Sequence, residues 1–112
     1  MISSIKTLAV HDSVEMLARA ANLMTRASTN AQAGSLVSAR HLTAKATRQV
    51  IPVLQQWERG IVPAGYGTNS TRVLANTVQH MQTAHTALRA GSVEAALAQL
   101  GSARFGASLL LS

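Results

Sequence analysis

Three glycine-bearing breaks, across residues 28–34, across residues 60–69 and at Gly91, cut the chain into four stretches in which apolar residues recur every three or four positions. That interval is the 3.6-residue period of an α-helix, whereas a half-buried strand would alternate apolar and polar residues. No stretch outside the N-terminus alternates for five residues. The pattern predicts an all-α chain, and the short breaks predict antiparallel neighbours. Two helical hairpins joined by the glycine-rich loop 60–69 make an up-and-down four-helix bundle, with residues 1–112 as a single domain.

Residues 12–27 read as the first helix. Asp12 and Glu15 open it with capping-box spacing, and Val14, Leu17, Ala21 and Met24 mark its apolar face. Residues 1–11 fit either an N-terminal arm or an extra helical turn, and residues 28–34 read as a small polar connection. In the second stretch Leu36, Ala39, Thr43, Ala46, Val50, Val53 and Trp57 keep the period up to Gly60, with Pro52 inside it. Proline has no N–H to offer the Arg48 carbonyl and its ring crowds that turn, so a kink or break is expected at 48–52. The third helix, from Ser70 to Ala90, carries Leu74, Val78, Met81, His85 and Leu88 on one stripe. The fourth starts at Ser92 and passes Gly101 and Gly106 to Leu109, Leu110 and Leu111, with Leu88 expected to meet Val93 and Leu97 across the Gly91 turn.

Twenty of the 112 residues are alanine and only three are aromatic, so the helices can approach closely but enclose a shallow core. A shallow core favours further burial against a second copy or another protein. The three C-terminal leucines, Leu109, Leu110 and Leu111, are the candidate oligomer contact, because an uncovered cluster of this kind promotes aggregation. No apolar run approaches the ~18 residues of a membrane span, and the start MISSIKTLAV lacks a long apolar core, so the expectation is a cytoplasmic protein with no membrane partner.

Ten basic residues face four acidic ones, for a net charge of +6 that favours acidic partners. Arg19, Arg26 and Arg48, with His41, fall opposite the apolar rhythm and form the candidate basic face. Residues 39–68 resemble a winged-helix module in their order: a helix ending at a glycine, a short apolar segment, then a glycine-containing wing. That resemblance implies Lys45 and Arg48 facing the groove of a duplex, with Pro52 and the helical pattern after Thr68 departing from it. Nucleic-acid binding, possible regulation included, is accordingly the alternative function.

Catalytic chemistry has few candidates. The chain has no cysteine, which excludes disulfides, thiolate metal sites and thiol nucleophiles. Asp12 and Glu15 are assigned to a cap and Glu94 to a helix N-terminus, leaving Glu58 alone. His80 and His85 are five residues apart, about 140° around a helix, so they do not share a metal ion. His85 occupies a stripe position suited to leucine and reads as a buried polar or switch residue. A haem on His85 would need a second ligand, and none of Met16, Met24 and Met81 is fixed as one. The segment AHTALRAGS at 84–92 resembles the phosphoacceptor segment of histidine phosphotransfer domains, but its leucine, basic residue and glycine sit at other spacings. No catalytic, cofactor or metal site is therefore expected. The sequence reads as a small non-enzymatic protein-interaction module, an adaptor, inhibitor or assembly component, that self-associates as a homo-oligomer.

Overall fold

The computed structural model describes residues 2–112, with side chains from residue 13 onward. It contains α1 (Ile2–Gln32), α2 (Leu36–Glu58), α3 (Thr68–Arg89) and α4 (Val93–Leu111), and no strand among the described residues. Contacts are most extensive within the α1–α2 and α3–α4 hairpins, fewer between α2 and α3, and fewest between α1 and α4. This is the ring order of an up-and-down bundle, 44 Å along its longest axis.

Each of the first three helices ends in the same backbone device. Gly34 and Gly91 make the two hairpin turns with φ of +86° and +78°, a region that residues with a Cβ rarely enter. The amide after each glycine reaches back to a carbonyl five residues earlier: Ser35 to Asn30 and Ser92 to Ala87, both at 2.8 Å. Gly60 closes α2 likewise, with Ile61 bonded to Gln56. These are Schellman closures, which satisfy carbonyls that the helix leaves free.

Several sequence expectations need correction. α1 begins at Ile2, so residues 2–11 belong to a long helix and Asp12 lies inside it; the side chain proposed as its cap is outside the described ones. α1 also continues through residues 28–32, because Ser28 and Ala31 are buried and the Thr25 and Thr29 hydroxyls donate to the Ala21 and Thr25 carbonyls. α2 is uninterrupted across Pro52, so no break occurs at 48–52 and the expected kink is not confirmed. With α2 leading through a loop into α3, the apolar strand and wing of a winged-helix module are not formed. Leu88 and Leu97 do join one cluster at the turn end of the bundle, with Ala31, Ala39, Ala96 and Leu36, but Val93 is not part of it.

Among the described residues nine of the 21 buried apolar side chains are alanine, so the volume between helices is filled chiefly by Leu17, Met24, Val50, Trp57, Leu74, Met81 and Leu100. α3 and α4 approach closely at buried Gly106 of α4, where a Cβ would overlap the Thr77 Oγ1 of α3. Thr77 is itself fixed, its hydroxyl donating to the Val73 carbonyl at 2.8 Å. Gly106→Ala should therefore lower stability by about 1–3 kcal/mol, the usual cost of overpacking, although alanine is the better helix former by about 1 kcal/mol. Adding Thr77→Ala should recover most of the loss, and Gly101→Ala, which meets open space, should stabilise the fold. Denaturant midpoints of the three variants and wild type measure both effects.

Candidate functional site

The amphipathic pattern of α2 turns Ala39, Thr43, Ala46, Val50, Val53 and Trp57 inward. The opposite positions, His41, Lys45 and Arg48, are thereby exposed at four- and three-residue spacing. Thr43 is tolerated in the core because its hydroxyl donates to the Ala39 carbonyl at 2.8 Å. A groove runs along each flank of this basic stripe.

The groove between α1 and α2, of about 480 Å³, is lined by Arg19, Arg26, Lys45 and Gln49 together with Glu15. Glu15 pairs with Arg19 at 2.6 Å, the one ion pair among the described residues. Both partners are well exposed, so the pair adds little stability. The groove between α2 and α3 is lined by Ala44, Thr47, Arg48, Gln82, His85 and Thr86. Arg19 and Arg26 are thus brought together with Lys45, which the sequence had assigned to a duplex-facing role, whereas Arg48 turns to the other flank and meets His85.

His85 is half-buried, not a core residue: its place on the stripe is taken by Ala84, buried with Leu74, Val78, Met81 and Leu88. One position further round the helix, His85 falls at the edge of the buried stripe, where its polar ring keeps access to solvent. His80 instead bridges helices, its Nδ1 2.7 Å from the Gln99 Oε1 of α4. Among the described residues no three histidine or acidic side chains cluster as metal ligands would.

Leu109, Leu110 and Leu111 do not act as one patch. Consecutive helical residues diverge by about 100°, and the structure buries Leu110 to 4% exposure, packs Leu111 partly against the core and leaves Leu109 at 52%. Phe105, one turn before Leu109, is 65% exposed and was not singled out from the sequence. Its i,i+4 spacing from Leu109 was the available signal.

The loop 60–69 is packed down, not a free linker. Tyr66 stacks on Trp57 with centroids 5.0 Å apart and donates its hydroxyl to the Leu110 carbonyl. Ser70 accepts the Gly67 amide at 3.3 Å. Arg72 shares the adjacent cavity with Glu58, which opposes anion binding there.

With this geometry in view, no protein-family model, curated protein or solved structure matches the chain. No described helix is long and apolar enough to cross a membrane.

Burial lowers the His85 pKa below its ordinary 6.5, and the positive charges of Arg89 and Arg40 lower it further. A histidine whose folded pKa is depressed binds fewer protons in the folded state than in the unfolded chain. Its contribution is therefore intact above about pH 6.5 and declines as pH falls below that value toward the folded pKa. Denaturant midpoints should fall on acidification through this window, and His85→Gln should flatten that part of the curve.

Proposed function

We propose that this protein is a non-enzymatic helical interaction module that docks helix faces against other proteins, first against a second copy of itself. The observation that carries this reading is the outer face of α4 where it borders α1. Phe105 and Leu109 stand out from it, and Val14 of α1 is 37% exposed. Beside them lies a groove of about 630 Å³ lined by Ala21, Thr25, Gly101, Arg104, Phe105, Ser108 and Leu111, in which Arg104 is the one charged side chain. A molecule of net charge +6 repels its own copies wherever basic faces meet. The α1–α4 face offers an approach with little of that repulsion and with large apolar groups to cover. α4 also carries just two charged residues, Glu94 and Arg104, of opposite sign and ten positions apart.

Light-scattering mass as a function of concentration tests the reading. Wild type is expected to exceed its 11.7 kDa monomer mass, and Phe105→Lys or Leu109→Lys should return it to monomer without loss of helicity, since both side chains lie outside the core. A wild-type monomer at every concentration refutes self-association. Truncating residues 107–112 would not make this test, because Ala107 and Leu110 belong to the core.

A second reading, nucleic-acid binding, is supported by the basic stripe of α2 with Arg26 beside it and a single neighbouring carboxylate, Glu15. Duplex affinity should then fall steeply with salt, by a log–log slope of about 0.9 per phosphate contacted. Mobility unchanged by duplex DNA at low salt removes this reading.

A further inference from the structure

The groove between α2 and α3 has a composition that neither docking face explains. It encloses about 330 Å³, near the lower end of small-ligand pockets, over a floor that includes Ala44. The Thr47 and Thr86 hydroxyl protons are already given to the Thr43 and Gln82 carbonyls, at 2.8 and 3.2 Å. The donors that remain toward the groove are the exposed Arg48 guanidinium, the exposed Gln82 amide and the half-buried His85 ring. Arg40 from α2 and Arg89 from α3 are close enough to act on the His85 ring electrostatically. No described carboxylate answers this charge: Glu15 and Glu58 line other cavities, and Glu94 lies in the first turn of α4.

We infer that the α2–α3 groove is a seat for a phosphate group, with Arg48, His85 and Gln82 as its direct donors and Arg40 and Arg89 supplying the surrounding positive potential. One guanidinium in the groove, with those of Arg40 and Arg89 near enough to act on His85, favours a dianion over a carboxylate, and the planar fork of Arg48 can engage two phosphate oxygens together. The apolar floor and the threonine methyls leave room for a small organic body attached to the phosphate. A free phosphomonoester supplies the dianion, whereas a phosphodiester of a nucleic-acid strand offers the same acceptor oxygens with one charge.

Binding and the protonation of His85 are linked. An anion held beside the ring favours its charged form, so phosphate should raise the His85 pKa, and by reciprocity phosphate should bind more tightly as pH falls through that pKa. The charges that act on the ring are Arg89 from its own helix and Arg40 from α2, and Arg48 of α2 lines the same groove, all positive.

The test follows the histidine ring signals by NMR during titration with inorganic phosphate, against sodium chloride at matched ionic strength. His41, exposed on α2 and outside the groove, is the internal control. Saturable movement of His85 with an upward pKa shift, little response at His41, and about tenfold weaker phosphate binding in Arg48→Ala, equivalent to about 1.4 kcal/mol, support the seat. An equal response of His85 and His41, equal effects of phosphate and chloride, or unchanged affinity in Arg48→Ala overturns it. Arg48 is outside the core, so its variant folds, and circular dichroism verifies that. Parallel titrations with phenyl phosphate and with a short DNA duplex identify the source: whichever saturates His85 at the lower concentration is the fitting ligand, and failure of both to move His85 refutes the inference.

Discussion

Helices in this bundle meet through small residues, and the closeness this permits governs the rest of the molecule. Ala20, Ala27, Ala39 and Ala46 are buried in the α1–α2 hairpin, and Ala84, Ala96, Ala103, Gly106 and Ala107 in the α3–α4 hairpin. Close approach gains dispersion contacts along the backbone but buries less apolar area per residue than leucine seams would. Polar links add definition where side-chain bulk is short: the His80–Gln99 bridge joins α3 to α4, and buried threonines satisfy themselves on their own helix. The same economy of bulk leaves Phe105 and Leu109 outside, since a narrow core between alanine-lined helices has no room for them.

The helix count, the hairpins and the glycine closures were legible because period and turn chemistry are local. What failed depended on rotation and environment. Residues 28–32 looked like a connection because threonine and serine favour turns, yet with their hydroxyls bonded to the preceding turn they continue a helix. A one-residue difference in rotation exchanged Ala84 for His85 at the core. Arg19, Arg26 and Arg48 are exposed, but sequence spacing cannot say which flank of α2 each one joins. Nor could it show that three adjacent leucines would have three different fates.

The two kinds of surface lie on different sides of the ring of helices: a sparsely charged one on α1 and α4, with Arg104 in its groove, and cationic grooves on both flanks of α2. Pairing through the first leaves the second open in both copies. A dimer would then present two basic stripes held at a fixed separation, and a long polyanion able to reach both would gain from effective concentration without any new contact. Loss of pairing would weaken such a ligand while leaving a small anion in the α2–α3 groove unaffected.

Tyr66 has a consequence for how copies of this chain can combine. Its hydroxyl holds the Leu110 carbonyl, 44 residues further along the sequence, while its ring lies on Trp57. The carbonyls of a final helical turn have no partner within the helix, so this contact latches the end of α4 to the connector between the hairpins. An exchange in which each copy lends its α3–α4 hairpin to the other would require that connector to unfold and extend. The latch resists such a swap and so favours pairing of complete four-helix units in the proposed assembly.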